Sequence, residues 1–257
     1  MEIQTAGQRF EVEPREHLWF WEKVNAGTWE PHTWEVFRTW VKPGAAVIDL
    51  GAWIGPTTLY AAALGATVHS IEADPVALQH LQANVAANPD LSARITVCPV
   101  AIAPRDGPVL FGSHRGGGDS TSSLLAGDAA TSWSVPGQRW GTFLRTQGIA
   151  RCDFLKMDIE GGEWAVLPEM LPWLQEVRPT LYLSLHPRNL HPQSARSPRI
   201  VGAVLKRWQA CRELLAPLGF YPHVYNDQGQ RVNLNTYWLQ GYHNPAPLVF
   251  SAAAWPR

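Results

Sequence analysis

The sequence predicts an α/β fold with a mostly parallel sheet, helices on both faces and a C-terminal antiparallel hairpin. Three observations lead to this prediction. Short apolar runs alternate with segments of helical periodicity between residues 46 and 215. Two of these runs end in an acid that is followed by a glycine turn, first at 49–51 and again at 158–161. With 257 residues, the chain is long enough to bury the core of one such domain.

The first forty residues are rich in tryptophan and precede the predicted sheet. The rings are those of Trp19, Trp21, Trp29, Trp34 and Trp40. We predict a helical cover over residues 1–40 and the main domain over 41–257, with Thr33 as an N-cap inside the cover. The rings could simply pack on the sheet, or they could line a cover over a ligand site, where aromatic rings offer a large contact area.

The first half of the main domain alternates strictly between strands and helices. Strands are predicted over 46–50, 67–72 and 95–101, and helices over 57–64 and 75–87. Asp74 is the expected N-cap of the second helix, because an aspartate there can accept hydrogen bonds from the first free backbone amides. Strand–helix alternation of this kind indicates parallel pairing.

A polar stretch over residues 112–137 interrupts the alternation. Its glycine-rich start and serine-rich middle predict a long loop. The loop follows the third strand, so it should lie near the carboxyl ends of the strands, where open α/β sheets bind ligands. Residues 113–135 could form a lid over a bound ligand, or they could be disordered.

The second half resumes the alternation and then changes. Helices are predicted over 140–147, 163–174 and 200–215, and strands over 153–158 and 180–185. We expect Pro168 and Pro172 to break the helix that contains them. Residues 220–225 and 232–239 have the pattern of two strands, and the turn residues between them predict the C-terminal hairpin.

The turn after the first strand predicts a nucleotide site. Gly51 and Gly55 allow the backbone to turn sharply and to approach a ligand. Glu72 ends the second strand about twenty residues later, where a carboxylate can accept hydrogen bonds from ribose hydroxyls. The gap between the glycines and the lack of a third glycine disfavour a dinucleotide. A ligand with a ribose, an ammonium and a sulfonium group, S-adenosylmethionine, suits this acidic strand end better.

Five short motifs, in this order, resemble the FkbM-type methyltransferase family. They are a Val-Ile-Asp-x-Gly-Ala turn at 47–52, the acid Glu72, Ser-Ser-Leu at 122–124, Asp-x-Glu-Gly-x-Glu at 158–163 and His-Pro at 186–187. The resemblance covers about residues 41–190. It implies a Rossmann-like class I methyltransferase fold, S-adenosylmethionine as the cofactor, and methylation of an oxygen on a sugar, a glycolipid headgroup or a small natural product. Methylation of nitrogen in a small molecule, or a binding protein without catalysis, are the alternatives.

The resemblance also assigns site residues. Those implied to bind the cofactor are Asp49, Gly51, Ala52, Trp53, Gly55, Glu72, Ala73, Ala101 and Asp158. Those implied in catalysis are Asp158, Glu160 and His186, and those implied in acceptor binding are Ser122, Ser123 and His186. Relatives commonly have asparagine in place of Trp53. By its ordinary pKa, His186 is the better general base, whereas Glu160 and Glu163 could merely cap the following helix.

Composition and charge narrow the remaining choices. A net charge of −1 without a basic run argues against a nucleic-acid partner and leaves a small-molecule acceptor. The three cysteines are far apart, which predicts neither a disulfide framework nor a cysteine metal site. Asp158, Glu160 and His186 could supply ligands to a metal, but their spacing does not require one, so no metal site is predicted.

The polar first fourteen residues predict neither a signal peptide nor a transmembrane segment, so we expect a cytoplasmic protein. Nothing in the sequence specifies an oligomeric state.

Overall fold

The chain forms twelve strands and eight α-helices within the residues that the structure describes. A computed structural model describes residues 1–113, 116–126, 131–187, 189, 200–235, 237 and 246–256. The strands are β1 (Glu2–Thr5), β2 (Gln8–Glu11), β3 (Ala46–Leu50), β4 (Thr67–Ile71), β5 (Ile95–Cys98), β6 (Ala101–Ile102), β7 (Gly107–Ser113), β8 (Thr131–Gln138), β9 (Phe154–Met157), β10 (Thr180–Leu183), β11 (His223–Asn226) and β12 (Leu248–Ser251). The helices are α1 (Leu18–Asn25), α2 (Pro31–Trp40), α3 (Pro56–Ala63), α4 (Pro75–Ala86), α5 (Pro89–Ser92), α6 (Trp140–Thr146), α7 (Glu163–Val177) and α8 (Ile200–Leu215).

A seven-stranded sheet forms the centre of the fold, in the order β11-β12-β10-β9-β3-β4-β5. The pairs from β10 to β5 are parallel, whereas β12 lies antiparallel to both β10 and β11. The prediction of a mostly parallel sheet with a C-terminal antiparallel pair is confirmed. Its second strand is Leu248–Ser251, however, and the described part of the predicted strand 232–239 contains no strand.

Helices cover both faces of this sheet, as predicted. Neighbouring strand residues point to opposite faces, so Val47 belongs to one apolar core and Ile48 to the other. The N-terminal segment packs on the first face with α3 and α4. Helices α6, α7 and α8 supply the second core. No helix in the described residues is both long and apolar enough to cross a membrane.

A second sheet of three strands, ordered β6-β8-β7, includes both ends of the long loop that we expected over 112–137. Strand β8 runs antiparallel to β7 over seven residue pairs, from Gly107↔Gly137 to Ser113↔Thr131. The sequence pattern does not predict β8 as a strand because many of its residues are polar. Only its last part, around Val135, faces the small core with Val109 and Phe111. Residues 114–115 and 127–130 of the predicted loop lie outside the described residues.

The N-terminal cover begins with a hairpin that the sequence analysis did not predict. Strands β1 and β2 pair across a two-residue turn in which Ala6 and Gly7 both have positive φ, as tight hairpin turns require. The helical part follows as α1 and α2. Thr33 does not cap α2 but lies inside it, because Pro31 already occupies the first helical position.

Two helix predictions have opposite outcomes. The N-cap role of Asp74 is confirmed, because its Oδ1 accepts hydrogen bonds from Val76 N at 2.7 Å and Ala77 N at 3.2 Å. The predicted break at Pro168 and Pro172 is wrong, since α7 runs through both. The two prolines lie four residues apart on the exposed face, where water can hydrate the carbonyl groups that they leave unpaired.

Candidate functional site

Two adjoining cavities open where the carboxyl ends of β3, β4, β9 and β10 meet. The first lies over β3, β4 and β9. The second is the larger, with a volume of about 930 Å³, and extends from β10 to the N-terminal helices. Both are lined by Gly51, Trp53, Ser120, Asp158 and Glu160, so these residues mark the junction.

Glu72 forms the polar wall of the first cavity, as its predicted role requires. Its Oε2 accepts a hydrogen bond from Trp53 N at 2.7 Å, and its Oε1 accepts from Ala73 N at 2.8 Å and Asp74 N at 2.7 Å. Burial raises the pKa of Glu72 to about 7, although the three amides oppose this. Apolar residues form another part of the lining, namely Ile71, Val100, Ala101, Ile102 and Phe111.

Asp49 lies beneath the cavities and lines neither, in contrast to its predicted contact with the cofactor. Its Oδ2 accepts hydrogen bonds from the hydroxyls of Thr57 and Thr58 at 2.8 and 2.7 Å. Its Oδ1 accepts from Lys156 Nζ at 3.1 Å. The buried carboxylate therefore ties β3 to α3 and to β9, and supports the turn from below.

The two turn glycines are required by packing. Gly51 has φ +84°, and a Cβ there would lie 1.8 Å from the carbonyl oxygen of Asp158. Gly55 has φ +95° and is the N-cap of α3, where a Cβ would lie 2.7 Å from Leu81 Cδ1. Gly51 also lines both cavities, whereas Gly55 lines neither, so a contact of Gly55 with the cofactor is not supported.

Trp53 connects the junction to a loop and to the N-terminal cover. Its φ of 51° lies in the left-handed region that is uncommon for a bulky residue. Its indole Nε1 donates a hydrogen bond to Gly118 O at 2.8 Å. Its ring packs edge-on against His17 and Phe20, with centroids 5.2 and 4.6 Å away.

Residues 116–126 form one side of the first cavity. Asp74 Oδ2 accepts hydrogen bonds from Gly118 N at 2.8 Å and from the Ser122 hydroxyl, which fixes this segment to the start of α4. Ser122, which we expected to bind an acceptor, lines the first cavity and not the second. Ser123 is buried in a backbone pair with Gly112 and lines neither cavity.

The acid–glycine turn after β9 brings three predicted catalytic residues together. His186 Nε2 lies 3.5 Å from Asp158 Oδ1 and 3.5 Å from Glu160 Oε1. Its Nδ1 lies 3.3 Å from Glu163 Oε1. The buried Glu163 carboxylate also accepts hydrogen bonds from the backbone N–H groups of Ile159 and Gly161. Glu163 thus holds the turn and orients the imidazole towards the other two carboxylates.

The surroundings reverse the proton affinities that the sequence suggested. Burial by itself lowers the pKa of His186, but the hydrogen bond to Glu163 and the charges of Asp158 and Glu160 outweigh it and raise the pKa to about 10. Burial raises the pKa of Glu160 to about 7, and Asp158 adds to this while His186 opposes it. At neutral pH the imidazole is therefore protonated, and Glu160 is the group poised to exchange a proton.

The second cavity has an aromatic and charged lining that the sequence analysis located only in part. Its walls include Trp19, Trp29, Glu30, Lys156, Tyr182 and His186. The N-terminal tryptophans thus include both packed rings, such as the buried Trp21, and cavity-lining rings. Lys156 was missed although a lysine inside an apolar strand is a signal, because a buried ammonium needs a partner. Glu30 carries no such signal.

The structure brings most of the predicted site residues to the two cavities. Gly51, Trp53, Glu72, Ala73, Ala101, Asp158 and Glu160 line the first cavity. Ala52 and His186 line the second. The residues that support the site without lining it are Asp49, Gly55 and Ser123.

Comparison with family models gives one result for this chain. Residues 49–208, more than half of the chain, match the model described as the methyltransferase FkbM domain. A comparison with curated proteins found no match.

Solved structures with a similar fold include several methyltransferases. A methyltransferase FkbM from Methylobacillus flagellatus KT is 17% identical, with a TM-score of 0.49 over 90% of this chain and 54% of that chain. A SAM-dependent methyltransferase from Agrobacterium tumefaciens is 16% identical, with a TM-score of 0.38 over 72% of this chain and 51% of that chain. An O-methyltransferase from Bacillus cereus in complex with SAH is 12% identical, with a TM-score of 0.46 over 87% of this chain and 82% of that chain. This chain spans about half of the length of the first two.

Proposed function

The chain belongs to the FkbM family of S-adenosylmethionine-dependent methyltransferases, and we propose that it methylates an oxygen of a small polyhydroxylated acceptor. Sugars, glycolipid headgroups and small natural products are the classes of acceptor that we have in mind. The observation that carries the proposal is the junction of two cavities at Asp158 and Glu160. A donor in one cavity and an acceptor in the other would meet beside these carboxylates.

The first cavity suits the cofactor. Three lone-pair positions of the Glu72 carboxylate are taken by backbone amides, and a carboxylate offers about four, so one remains for a ribose hydroxyl. The apolar wall that includes Val100 and Phe111 suits a flat adenine ring. When bound, S-adenosylmethionine supplies the methyl group as an activated sulfonium.

The side chains at the junction can manage the proton that the acceptor loses. An alcohol becomes a good nucleophile only if its proton has an acceptor, and a base with a pKa near the working pH is the most effective. Glu160, with its pKa raised to about 7, meets this condition. We therefore assign the base to Glu160, whereas the protonated His186 holds Glu160 and Asp158 in place.

The second cavity suits an acceptor with both hydroxyl groups and an apolar face. Trp19 and Trp29 offer flat apolar surfaces, and Glu30, Lys156 and Tyr182 offer polar atoms beside them. Sugar rings present the same combination, since their hydroxyls lie around an apolar ring face. The volume of about 930 Å³ leaves room for an acceptor larger than one monosaccharide.

Methylation of a nitrogen is the second candidate, because the carboxylates of Glu30, Asp158 and Glu160 would attract a cationic amine.

The three cysteines are all free and buried, which favours a reducing compartment such as the cytoplasm. The proposed small-molecule acceptor does not call for a nucleic-acid partner.

A transfer assay with methyl-labelled S-adenosylmethionine tests the proposal. The acceptor panel contains sugars, glycolipid headgroups, polyhydroxylated natural products and primary amines. We expect label in the oxygen-methyl ethers of polyhydroxylated acceptors, and a rate about 10²–10⁴-fold lower for Glu160→Gln. The matched control is Glu35→Gln, an exposed carboxylate on α2 that pairs only with Arg38 among the described residues. Label in amines alone would contradict oxygen transfer, and cofactor binding without any transfer would indicate a binding protein.

A further inference from the structure

A second group of metal-ligand side chains lies outside both cavities, where the N-terminal cover meets α4. Glu16 and His17 belong to the short helical turn Arg15–His17, and His80 belongs to α4. One carboxylate oxygen and one nitrogen of each imidazole lie within 4.8 Å of one another. We propose that Glu16, His17 and His80 bind a zinc ion.

The two imidazoles are buried and in contact. His17 is 9% exposed and His80 is 4% exposed. Their ring centroids are 4.8 Å apart, with the planes nearly perpendicular at 88°. The exposed carboxylate of Glu16 closes the group from the solvent side, with Oε1 at 3.0 Å from His80 Nε2.

The hydrogen-bonding capacity of the two rings is not satisfied by the protein. His17 Nε2 and His80 Nδ1 are buried nitrogens that have no hydrogen-bond partner. A buried polar atom without a partner is costly, and the large majority of such atoms in folded proteins have one. Because Glu16 faces His80 Nε2, an ion shared with Glu16 would bond to that nitrogen, and the unpartnered Nε2 of His17 would supply the second nitrogen.

The donor set selects the class of metal. Two imidazole nitrogens and one carboxylate oxygen are a common zinc set, in which water takes the fourth position. Magnesium and calcium prefer oxygen ligands throughout, and therefore fit two imidazoles poorly. The group contains no thiolate, which distinguishes it from the closed four-cysteine type of structural site.

The site would connect the cover to the cofactor cavity. The His17 ring packs against Trp53, with centroids 5.2 Å apart, and Trp53 lines both cavities. An ion shared by residues 16, 17 and 80 would fix the start of α1 to α4, and so hold this wall of the junction. No step of methyl transfer depends on the ion, so the proposed function and this site can fail separately.

The experiment uses the full chain, freed of metal with a chelator and titrated with zinc. We expect one equivalent to bind by calorimetry, and cobalt to give the absorption of a tetrahedral nitrogen–oxygen site. At a hundredfold excess over Kd, zinc should raise the Tm by roughly 5–10 °C. Wild-type protein that binds zinc no more tightly than about 100 µM would overturn the proposal.

Variants localise the ion. His80→Ala and His17→Ala should each abolish the zinc-dependent rise in Tm. Glu16→Gln removes only an exposed charge, so it should fold normally and weaken zinc binding at least about tenfold. The control His69→Ala removes a half-buried imidazole on β4 that does not belong to the group, and should bind zinc like the wild type. Equal zinc affinity in Glu16→Gln and in the wild type would refute the assignment even if the histidine variants fail to fold.

Discussion

Replacing Glu72 with glutamine tests the cofactor cavity without knowledge of the acceptor. The Glu72 carboxylate accepts three backbone N–H groups and keeps one position free towards the cavity. Glutamine has the same shape but one acceptor oxygen, and its NH₂ group must face N–H donors. The substitution therefore removes the acceptor for the ribose hydroxyl while it leaves the volume of the cavity unchanged.

The expected loss follows from one hydrogen bond to a charged group. Such a bond contributes about 1.5–3 kcal/mol, so the Kd for S-adenosylmethionine should rise about 10- to 100-fold in Glu72→Gln. The wild type should also show a pH dependence, because burial raises the pKa of Glu72 to about 7. The proposed ribose contact needs the ionised carboxylate, so the Kd should be about tenfold higher at pH 6 than well above pH 7.

Calorimetry of cofactor binding at pH 6, 7 and 8 measures both effects. Other groups at the junction titrate in the same range, but they are shared by the wild type and the variant, so the difference between the two isolates Glu72. A thermal melt checks that the variant folds, and Glu35→Gln serves again as the exposed control. A Kd for Glu72→Gln within threefold of the wild type, with the same pH profile, would refute the reasoning.

Three further predictions concern stability and order. The pKa of His186 is raised from 6.5 to about 10. Its stabilising contribution is therefore complete below pH 6.5 and is lost as the pH rises through 10. In urea unfolding, the free energy of unfolding of His186→Asn should depend less on pH over this range than that of the wild type. Gly51→Ala should unfold the protein or cost more than about 3 kcal/mol, because its Cβ would meet a strand-end carbonyl oxygen at 1.8 Å; Gly141→Ala, in an open helical position, should instead stabilise by about 0.5–1 kcal/mol. Trp53→Asn should lower the hydrogen-exchange protection of residues 116–123, because the bond to Gly118 is lost; unchanged protection would exclude this anchor.

The sequence allows the position of the site to be predicted because local signals define it. Acids and glycines at the ends of apolar strands must gather at one edge of a parallel sheet. Glu72, Asp158 and Glu160 lie there for this reason. Local signals also place α4 and its cap at Asp74, since capping needs only neighbouring residues.

The sequence could not show which acid faces the ligand. Asp49 and Asp158 each come at the end of an apolar run in the sequence, yet Asp49 is buried against Lys156 and Asp158 lines the cavities. The difference depends on the register of β3 with β9, which places Asp49 opposite Lys156. This pairing joins residues more than a hundred positions apart, so no local pattern reveals it. The reversed proton affinities of His186 and Glu160 have the same origin, because the charges that shift their pKa values come together only in the fold.

Trp53 links three parts of the chain around the first cavity. Asparagine tolerates the left-handed backbone at this position more readily than tryptophan does. The backbone N–H that Glu72 accepts is, however, the same for either residue. The longer side chain of tryptophan makes two further contacts, because its indole N–H donates a hydrogen bond to Gly118 and its ring packs against His17. The strained backbone at Trp53 is therefore maintained by contacts on three sides. This single side chain contacts residues 116–126 beside the first cavity and the N-terminal cover, and it belongs to the turn after β3. A change in any of these three parts should therefore alter the shape of the junction where the proposed transfer takes place.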